Sequence, residues 1–312
     1  MGDLKKPARL KVGDRVAVVA TSGPVKEERL EVGLTILREW GLDPILMPSV
    51  YAQNESFPYL AGDDATRAKE FREAWLDPQY KAVLCARGGV GAHRMLQHLD
   101  AVELTAAPAK ILLGFSDITA LHELFLADGF VTVHGPMVGA VEQLQVEASR
   151  ERLRALLFEP DSIPDLLVSP GEEKTRVRTL VPGRAEGRLL GGNLAVIAAS
   201  FGTATALSPD GAIVVLEDVG EEVYRLDRLF THLIRAGWFD QVAGLVLGDF
   251  TEAEGPGLVE DLLRERLVPL GIPAVENAPI GHGDLNLAVP LGARVVLDAT
   301  AGTLIMPESP FI

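Results

Sequence analysis

The amino-acid sequence predicts an α/β protein in two halves: a doubly wound parallel sheet comes first, and a half rich in β-strands follows. In the first half, short apolar runs such as RVAVV alternate with segments whose apolar residues recur at helical spacing. Runs in the second half are more often strand-like, and helical patterns are fewer. With 312 residues, 47% of them hydrophobic, the chain can bury a sizeable core, and its length favours two domains.

The elements of the first half follow one another in a regular order. Asp63 or Asp64 is expected to cap the second helix, and a glycine stops the first. In chain order the segments are a strand at 15–23, a helix at 26–41, a strand at DPILMP, a helix at 63–77, a strand at 81–89, a strand at AKILLGFSD, a helix at ITALHELFLADG and a strand at FVTVHGP.

A proline-rich stretch separates the halves. We expect an N-terminal domain at 1–160, a linker at 161–182 and a C-terminal domain at 183–312, because prolines there lie among Asp, Glu, Ser and Gly. The second half is expected to be rich in strands: AEGRLLGGNLAVIAASFGT, GAIVVLEDVG and VAGLVLGDF come with helices in YRLDRLFTHLIRAG and near 257–269, and the alternation in ARVVLDATAGTLIM predicts closing antiparallel strands.

Composition excludes several classes of function. A formal charge of −15 opposes nonspecific binding to nucleic acid or anionic membranes, because both need a positive field. No apolar run approaches the roughly 20 residues of a membrane-spanning helix. The single cysteine, Cys85, fits a reducing compartment, so we expect a cytoplasmic protein. No zinc-ligand spacing, HExxH, GxGxxG or Walker motif is present, so no metal and no cofactor is predicted.

Three predicted strand ends hold residues that could serve a functional site: TSGP, ARGGVG and GFSD. In a parallel sheet such ends meet at one edge. Ser116 lies where a strand turns into a helix, which exposes Oγ and lets the N–H of Asp117 face a developing oxyanion. Alternatively, Ser116 or Asp117 only caps the helix.

The glycines of ARGGVG could hold an oxyanion or a phosphate with their N–H groups, or could serve only to pack a tight turn. Cys85 lies inside the apolar run AVLCA, which favours a buried, inert thiol over a nucleophile.

A base and an acid can be sought at other strand ends. Of the six histidines, His282 lies in the glycine-flanked loop NAPIGHGDLN and His134 ends a strand, whereas the others fall on predicted helices. Glu217 or Asp218, at the end of GAIVVLED, could orient an imidazole, or be an ordinary solvated strand terminus. Serine, acid and histidine then follow one another in that chain order.

The motifs RGGVGAHRML, GFSDITALH, HGPM, GRLLGGNLAVI, VLEDVGEEVYRLDRLF and PIGHGDLNLAVPLG, taken together, resemble the LD-carboxypeptidase (muramoyltetrapeptide carboxypeptidase) family of serine peptidases. The similarity covers nearly the whole chain. It implies a flavodoxin-like N-terminal domain, a β-rich C-terminal domain and an active site in the cleft between them. It also implies a triad of Ser116, His282 and Glu217, with the backbone N–H groups of Gly89 and Asp117 as oxyanion donors.

The resemblance further implies the reaction: removal of the terminal D-Ala from cytoplasmic peptidoglycan tetrapeptides during cell-wall recycling, with a muropeptide as substrate and a homodimer as a possible assembly. A carboxypeptidase must hold a terminal carboxylate, for which Asn193 and Arg225 are candidates. Val90 stands where relatives often have Tyr, which puts the substrate preference in question.

Two alternatives stay open. One branch of the family resembles microcin C immunity peptidases, which cleave aminoacyl-adenylate-like toxins and tend to carry a longer segment between nucleophile and acid. The chain has no obvious insertion there. The other alternative is a non-catalytic two-domain protein that binds a small molecule.

Overall fold

A computed structural model describes residues 4–172, 177–251 and 256–312. The strands are β1 Arg15–Val19, β2 Asp43–Leu46, β3 Tyr80–Cys85, β4 Ile111–Gly114, β5 Thr132–His134, β6 Arg178–Val181, β7 Arg184–Asn193, β8 Ile213–Val219, β9 Gly244–Thr251, β10 Ala274–Glu276, β11 Val289–Leu291, β12 Arg294–Asp298 and β13 Thr303–Ile305. The α-helices are α1 Glu27–Glu39, α2 Asp64–Leu76, α3 Ala92–Leu96, α4 Ala101–Ala106, α5 Thr119–Ala127, α6 Val141–Gln145, α7 Glu147–Phe158, α8 Leu194–Ser200, α9 Val223–Arg235 and α10 Pro256–Leu267.

The first sheet has six strands in the order β2-β1-β3-β4-β5-β11. Strands β1 to β5 are all parallel, as the sequence predicts. The sixth strand comes from the second half of the chain: β11 pairs antiparallel with β5, with Val289 opposite His134. The sequence does not predict this pairing, because β11 is only three residues long and its partner is far away in the chain.

The second sheet has seven strands in the order β6-β10-β9-β8-β7-β12-β13. Its centre, β7 to β10, is parallel, and β12 pairs antiparallel with both β7 and β13. The closing antiparallel strands are therefore confirmed. Strand β6 lies inside the segment predicted as a linker and pairs with β10. The predicted domain bounds stay a prediction.

Both faces of the first sheet are covered. Along β1, Val16 and Val18 point into one apolar core while Ala17 and Val19 point into another. This two-sided burial explains why the strand is continuously apolar rather than alternating. A third core surrounds the second sheet.

Helix α2 begins where the sequence predicts. Asp63 is its cap, since the Asp63 side chain accepts a hydrogen bond from the N–H of Thr66 at 2.8 Å. Within residues 4–172, 177–251 and 256–312, no helix combines the length and the apolar character needed to cross a membrane.

Candidate active site

Ser116 lies in a sharp turn at the end of β4. Its φ is +65°, the left-handed region that non-glycine residues enter only at a cost. A 3-10 turn, Ser116–Ile118, leads directly into α5. Phe115 and Asp117 on either side are buried, whereas Ser116 keeps partial exposure. The strained corner thus presents a hydroxyl group at the carboxyl edge of the first sheet, as the sequence predicts.

The glycine loop, Gly88–Gly91, packs directly against this corner. A Cβ added to Gly88 would lie 3.0 Å from Ser116 Cβ and 3.2 Å from its Oγ. Gly89 has φ +111°, which also disfavours a side chain. In the part of the chain that the structure describes, the N–H groups of Gly89 and Asp117 donate to no other group. Both remain available as donors.

The Asp117 carboxyl group binds neighbouring segments and does not cap its own helix. Its Oδ2 accepts hydrogen bonds from Ser22 Oγ at 2.6 Å and from the N–H of Ala92 at 2.8 Å. Burial raises the pKa of Asp117, although these hydrogen bonds oppose the shift. The side chain therefore joins the ends of β1 and β4 to the start of α3.

The structure brings His282 and Glu217 together. Nδ1 of His282 lies 2.5 Å from Oε2 of Glu217, and the Glu217 side chain is fully buried while that of His282 is 16% exposed. The imidazole packs on the ring of Phe115, with ring centroids 4.8 Å apart. Because Phe115 immediately precedes Ser116, this ring contact brings the His282 loop to the turn that carries the serine. Nε2 of His282 is then the nitrogen left for a proton transfer.

The electrostatics suit a base. Burial lowers the pKa of His282, but the hydrogen bond and charge of Glu217, helped by the charges of Asp218 and Asp249, outweigh it and raise the pKa above the ordinary 6.5. Asp218, the competing acid, faces elsewhere, with Oδ1 accepting from Asn193 Nδ2 at 3.1 Å. Of the two neighbouring acids, Glu217 is the one in contact with the imidazole.

A hydrogen-bond network that the sequence does not predict holds the His282 loop on both sides. Gln143 Nε2 donates to the carbonyls of Gly281 at 2.9 Å and Gly283 at 3.0 Å. Asp249 Oδ2 accepts from the N–H of Gly283 at 3.1 Å. Asn286 Oδ1 accepts from the N–H of Gly281 at 3.2 Å. Asn286 lies within a quoted motif, but nothing near Gln143 in the sequence points to this role.

Gly281 must lack a side chain for a local reason. Its φ is +127°, and a Cβ there would lie 2.8 Å from both Cβ and Oε2 of Glu217. The glycine therefore lets the histidine loop close onto the acid.

The remaining predicted site residues lie as follows. Asn193 is 5% exposed and caps α8, its Oδ1 accepting from the N–H of Val196 at 3.1 Å. Arg225 is exposed on α9, next to the carboxylates of Glu221 and Glu222. Val90 is 55% exposed at the tip of the glycine loop.

Other titratable groups near the sheet edge are buried away from solvent. Burial raises the pKa of Cys85 to about 12, which agrees with the predicted inert thiol. His134 is fully buried, packs edge-on against Phe115, and has a pKa well below its ordinary value because of burial.

Known proteins resemble the chain along its length. The family profile described as LD-carboxypeptidase N-terminal domain matches residues 16–135, and that of the C-terminal domain matches residues 186–297. A protein of Streptomyces coelicolor named as a carboxypeptidase candidate is 48% identical over 306 residues, 97% of this chain and 96% of that protein. The murein tetrapeptide carboxypeptidase of Pseudomonas aeruginosa is 34% identical over 293 residues, 92% and 94% of the two chains.

The fold also matches solved structures. A microcin C7 self-immunity protein in complex with aspartyl sulfamoyl adenosine superposes with a TM-score of 0.82 at 22% identity, over 98% of this chain and 99% of that one. At that identity the likeness concerns the fold. The two matching profiles and the 34% identity to the murein peptidase show that the chain belongs to the LD-carboxypeptidase family.

Proposed function

We propose that the protein is a serine LD-carboxypeptidase that uses Ser116, His282 and Glu217. The observation that carries the proposal is the 2.5 Å contact between His282 Nδ1 and Glu217 Oε2, with the imidazole packed on Phe115 beside a strained serine. A protein that only binds a small molecule has no need for an oriented base near a partly exposed hydroxyl at a glycine loop.

The mechanism follows from these positions. His282 Nε2 takes the Ser116 proton as Oγ attacks the carbonyl carbon of the peptide bond. The N–H groups of Gly89 and Asp117 hold the oxyanion. His282 then gives the proton to the departing amine, and water repeats the cycle to release the acyl group. Glu217 keeps the proton on Nδ1 and stabilises the imidazolium.

The proposed substrate is the tetrapeptide stem of a peptidoglycan fragment, cut between L-diaminopimelate or L-Lys and the terminal D-Ala. Support comes from the murein tetrapeptide carboxypeptidase to which the chain is 34% identical. Action in the cytoplasm during wall recycling belongs to the same proposal, and the single buried thiol of Cys85 agrees with a reducing compartment. A homodimer stays a prediction.

The terminal carboxylate needs a partner, and Arg225 and Asn193 remain the proposed ones. Both already contact protein groups: Arg225 lies by Glu221 and Glu222, and Asn193 by Asp218. If Arg225 binds the carboxylate, Arg225→Gln raises KM with kcat retained, because substrate and transition state lose the same contact. Arg228→Gln, which changes another exposed arginine of α9, is the control. Equal KM values in both variants would remove Arg225 from the proposal.

The experiment that tests the function is mass-resolved release of D-Ala from L-Ala-γ-D-Glu-meso-diaminopimelate-D-Ala by the wild type and by Ser116→Ala. We expect release by the wild type alone. Release by both would contradict the serine mechanism, and release by neither would contradict the substrate.

The second candidate is a microcin-immunity-type peptidase, favoured by the superposition on the structure with aspartyl sulfamoyl adenosine. Aspartate released from that compound in a parallel assay, with no D-Ala released from the tetrapeptide, would establish this candidate instead.

A further inference from the structure

Two buried side chains outside the proposed triad hold one peptide group of the glycine loop. Arg67, on α2, is fully buried, and its Nη1 donates to the carbonyl of Gly91 at 3.1 Å. Asp117 Oδ2 accepts from the N–H of Ala92 at 2.8 Å. The Gly91 carbonyl and the Ala92 N–H belong to the same peptide unit. A guanidinium and a carboxyl group therefore fix both polar atoms of that unit.

The same two side chains also hold the end of β1. Arg67 Nη1 donates to the carbonyl of Thr21, and Ser22 Oγ donates to Asp117 Oδ2 at 2.6 Å. Nη2 of Arg67 is anchored on the carboxylate of Asp64, in its own helix. The end of β1 and the end of the glycine loop are thus joined through one buried polar cluster.

The other end of the loop is held as well. The N–H of Gly23 donates to the carbonyl of Gly88 at 3.0 Å. At Gly91, φ is +139° and a Cβ would lie 2.7 Å from Arg67 Nη1, so the guanidinium reaches the loop only because that residue is glycine. Between these two anchored ends lies Gly89, whose N–H is the proposed oxyanion donor.

We infer that Arg67 and Asp117 form a clamp that positions the N–H groups of the glycine loop. These groups then face the oxyanion that develops on the substrate carbonyl oxygen when Ser116 attacks. The inference rests on the proposed serine mechanism. Neither side chain needs to touch the substrate, so both are positioning residues. Oxyanion donors act only within about 2.7–3.1 Å of the oxygen, and a displacement of 1 Å costs about 10²-fold in rate.

The first test uses two matched pairs of substitutions. Ser49 and Glu70 repeat the chemistry of the clamp but bind each other rather than the loop: Glu70 Oε2 accepts hydrogen bonds from Ser49 Oγ at 2.6 Å and from the Ser49 N–H at 3.0 Å. Ser22→Ala is compared with Ser49→Ala, and Asp117→Asn with Glu70→Gln. Each pair removes the same kind of buried hydrogen bond, and only one member of each pair lies at the glycine loop.

Arg67→Gln has its own control. Arg152 is also buried and also donates to backbone carbonyls, those of Leu166 at 2.7 Å and Asp165 at 3.0 Å. Arg152→Gln therefore reports what losing a buried guanidinium does to the fold alone.

The readouts are the rate at which a fluorophosphonate labels Ser116 and the kcat for D-Ala release. In labelling, Oγ bonds to phosphorus, fluoride leaves, and the serine proton passes to His282. We expect Asp117→Asn and Arg67→Gln to lower both rates by about 10²-fold, with KM and the acid limb of the pH profile unmoved. Ser22→Ala, which deletes only one hydroxyl group, should lower them by about tenfold. The control variants should keep wild-type rates.

Wild-type labelling rates in the folded clamp variants, or equal losses in their controls, would overturn the inference. If Arg67→Gln does not fold, the comparison of Ser22→Ala with Ser49→Ala decides. A wild-type enzyme that is labelled but leaves the tetrapeptide intact would contradict the proposed substrate. The labelling rates of the variants would still test the clamp.

Discussion

Replacing Glu217 by Gln removes the charge that orients His282 while keeping the shape of the side chain. In the wild type, Oε2 lies 2.5 Å from Nδ1, and Oε1 is buried with no hydrogen-bond partner among the described residues. The imidazole is therefore the main group that compensates this carboxylate. A neutral amide costs less to bury than a carboxylate, so the variant should be folded, with an unfolding midpoint equal to or above that of the wild type.

The size of the effect on catalysis follows from the pair. A carboxylate and an imidazolium whose charge centres are about 4 Å apart attract each other by about 4 kcal/mol at an effective dielectric constant near 20. Losing this in the transition state lowers kcat by about 10³-fold. Loss of control over the imidazole tautomer brings the expected decrease to about 10⁴-fold, the size known for the equivalent change in a Ser-His-Asp enzyme.

The pH profile gives an independent readout. His282 acts as a base only when neutral, so kcat/KM falls as pH drops through its pKa, which lies above 6.5 in the wild type. Without the Glu217 charge, burial dominates and the pKa falls. The residual activity of Glu217→Gln should therefore extend to lower pH.

Steady-state D-Ala release across pH 5–9 is the assay, and Asp218→Asn is the matched control. Asp218 is equally buried but binds Asn193 and the N–H of Ala195 rather than the imidazole. We expect that variant to keep kcat within about tenfold of the wild type. A Glu217→Gln enzyme with near-normal kcat, or with an acid limb moved upward, would refute the assignment of Glu217.

Three further outcomes are expected. Asp249→Asn should move the acid limb of kcat/KM to lower pH by less than Glu217→Gln does, because the Asp249 charge raises the pKa of His282 without touching the ring; an upward shift would contradict this. Gln143→Ala should lower kcat by about tenfold and reduce the free energy of unfolding by about 1–3 kcal/mol, because two loop carbonyls lose their hydrogen-bond donor. The control Gln145→Ala, at an exposed position of the same helix, should change neither quantity. Cys85 should resist iodoacetamide at pH 8 in the folded protein and react once urea unfolds it, since burial raises its pKa to about 12; rapid native alkylation would disprove this.

The edge of the first sheet could be predicted from the sequence because each strand end is marked by residues next to it in the chain. The end of each apolar run predicts where a parallel strand ends, and the carboxyl ends of parallel strands meet at one edge of the sheet. Ser116 and the glycine loop follow β4 and β3, which are neighbours in the first sheet, so the sheet rule alone brings them together. Glu217 lies in β8 of the second sheet and His282 in the loop between β10 and β11, so their place beside Ser116 is expected only from the family resemblance.

The supporting groups could not be predicted in this way. Arg67 reaches Gly91 from the first turn of α2, and Gln143 reaches Gly281 from more than a hundred positions away in the chain. For an arginine or glutamine on a helix, no local sequence pattern shows whether the side chain is buried and hydrogen-bonded to a distant loop or exposed to solvent. Strand β11 escaped prediction for a similar reason, since a three-residue strand is defined by its partner rather than by its own sequence.

The pairing of β11 with β5 has a consequence for motion. The segment that carries His282 leaves the second sheet at β10 and enters the first sheet at β11, so the proposed general base is tethered to both sheets at once. Any opening of one sheet relative to the other would pull on this tether and draw the imidazole away from Ser116. In the proposed mechanism His282 therefore serves Ser116 only while the two sheets stay together, and a fragment ending near residue 160 would lack both the proposed base and β11, the last strand of the first sheet.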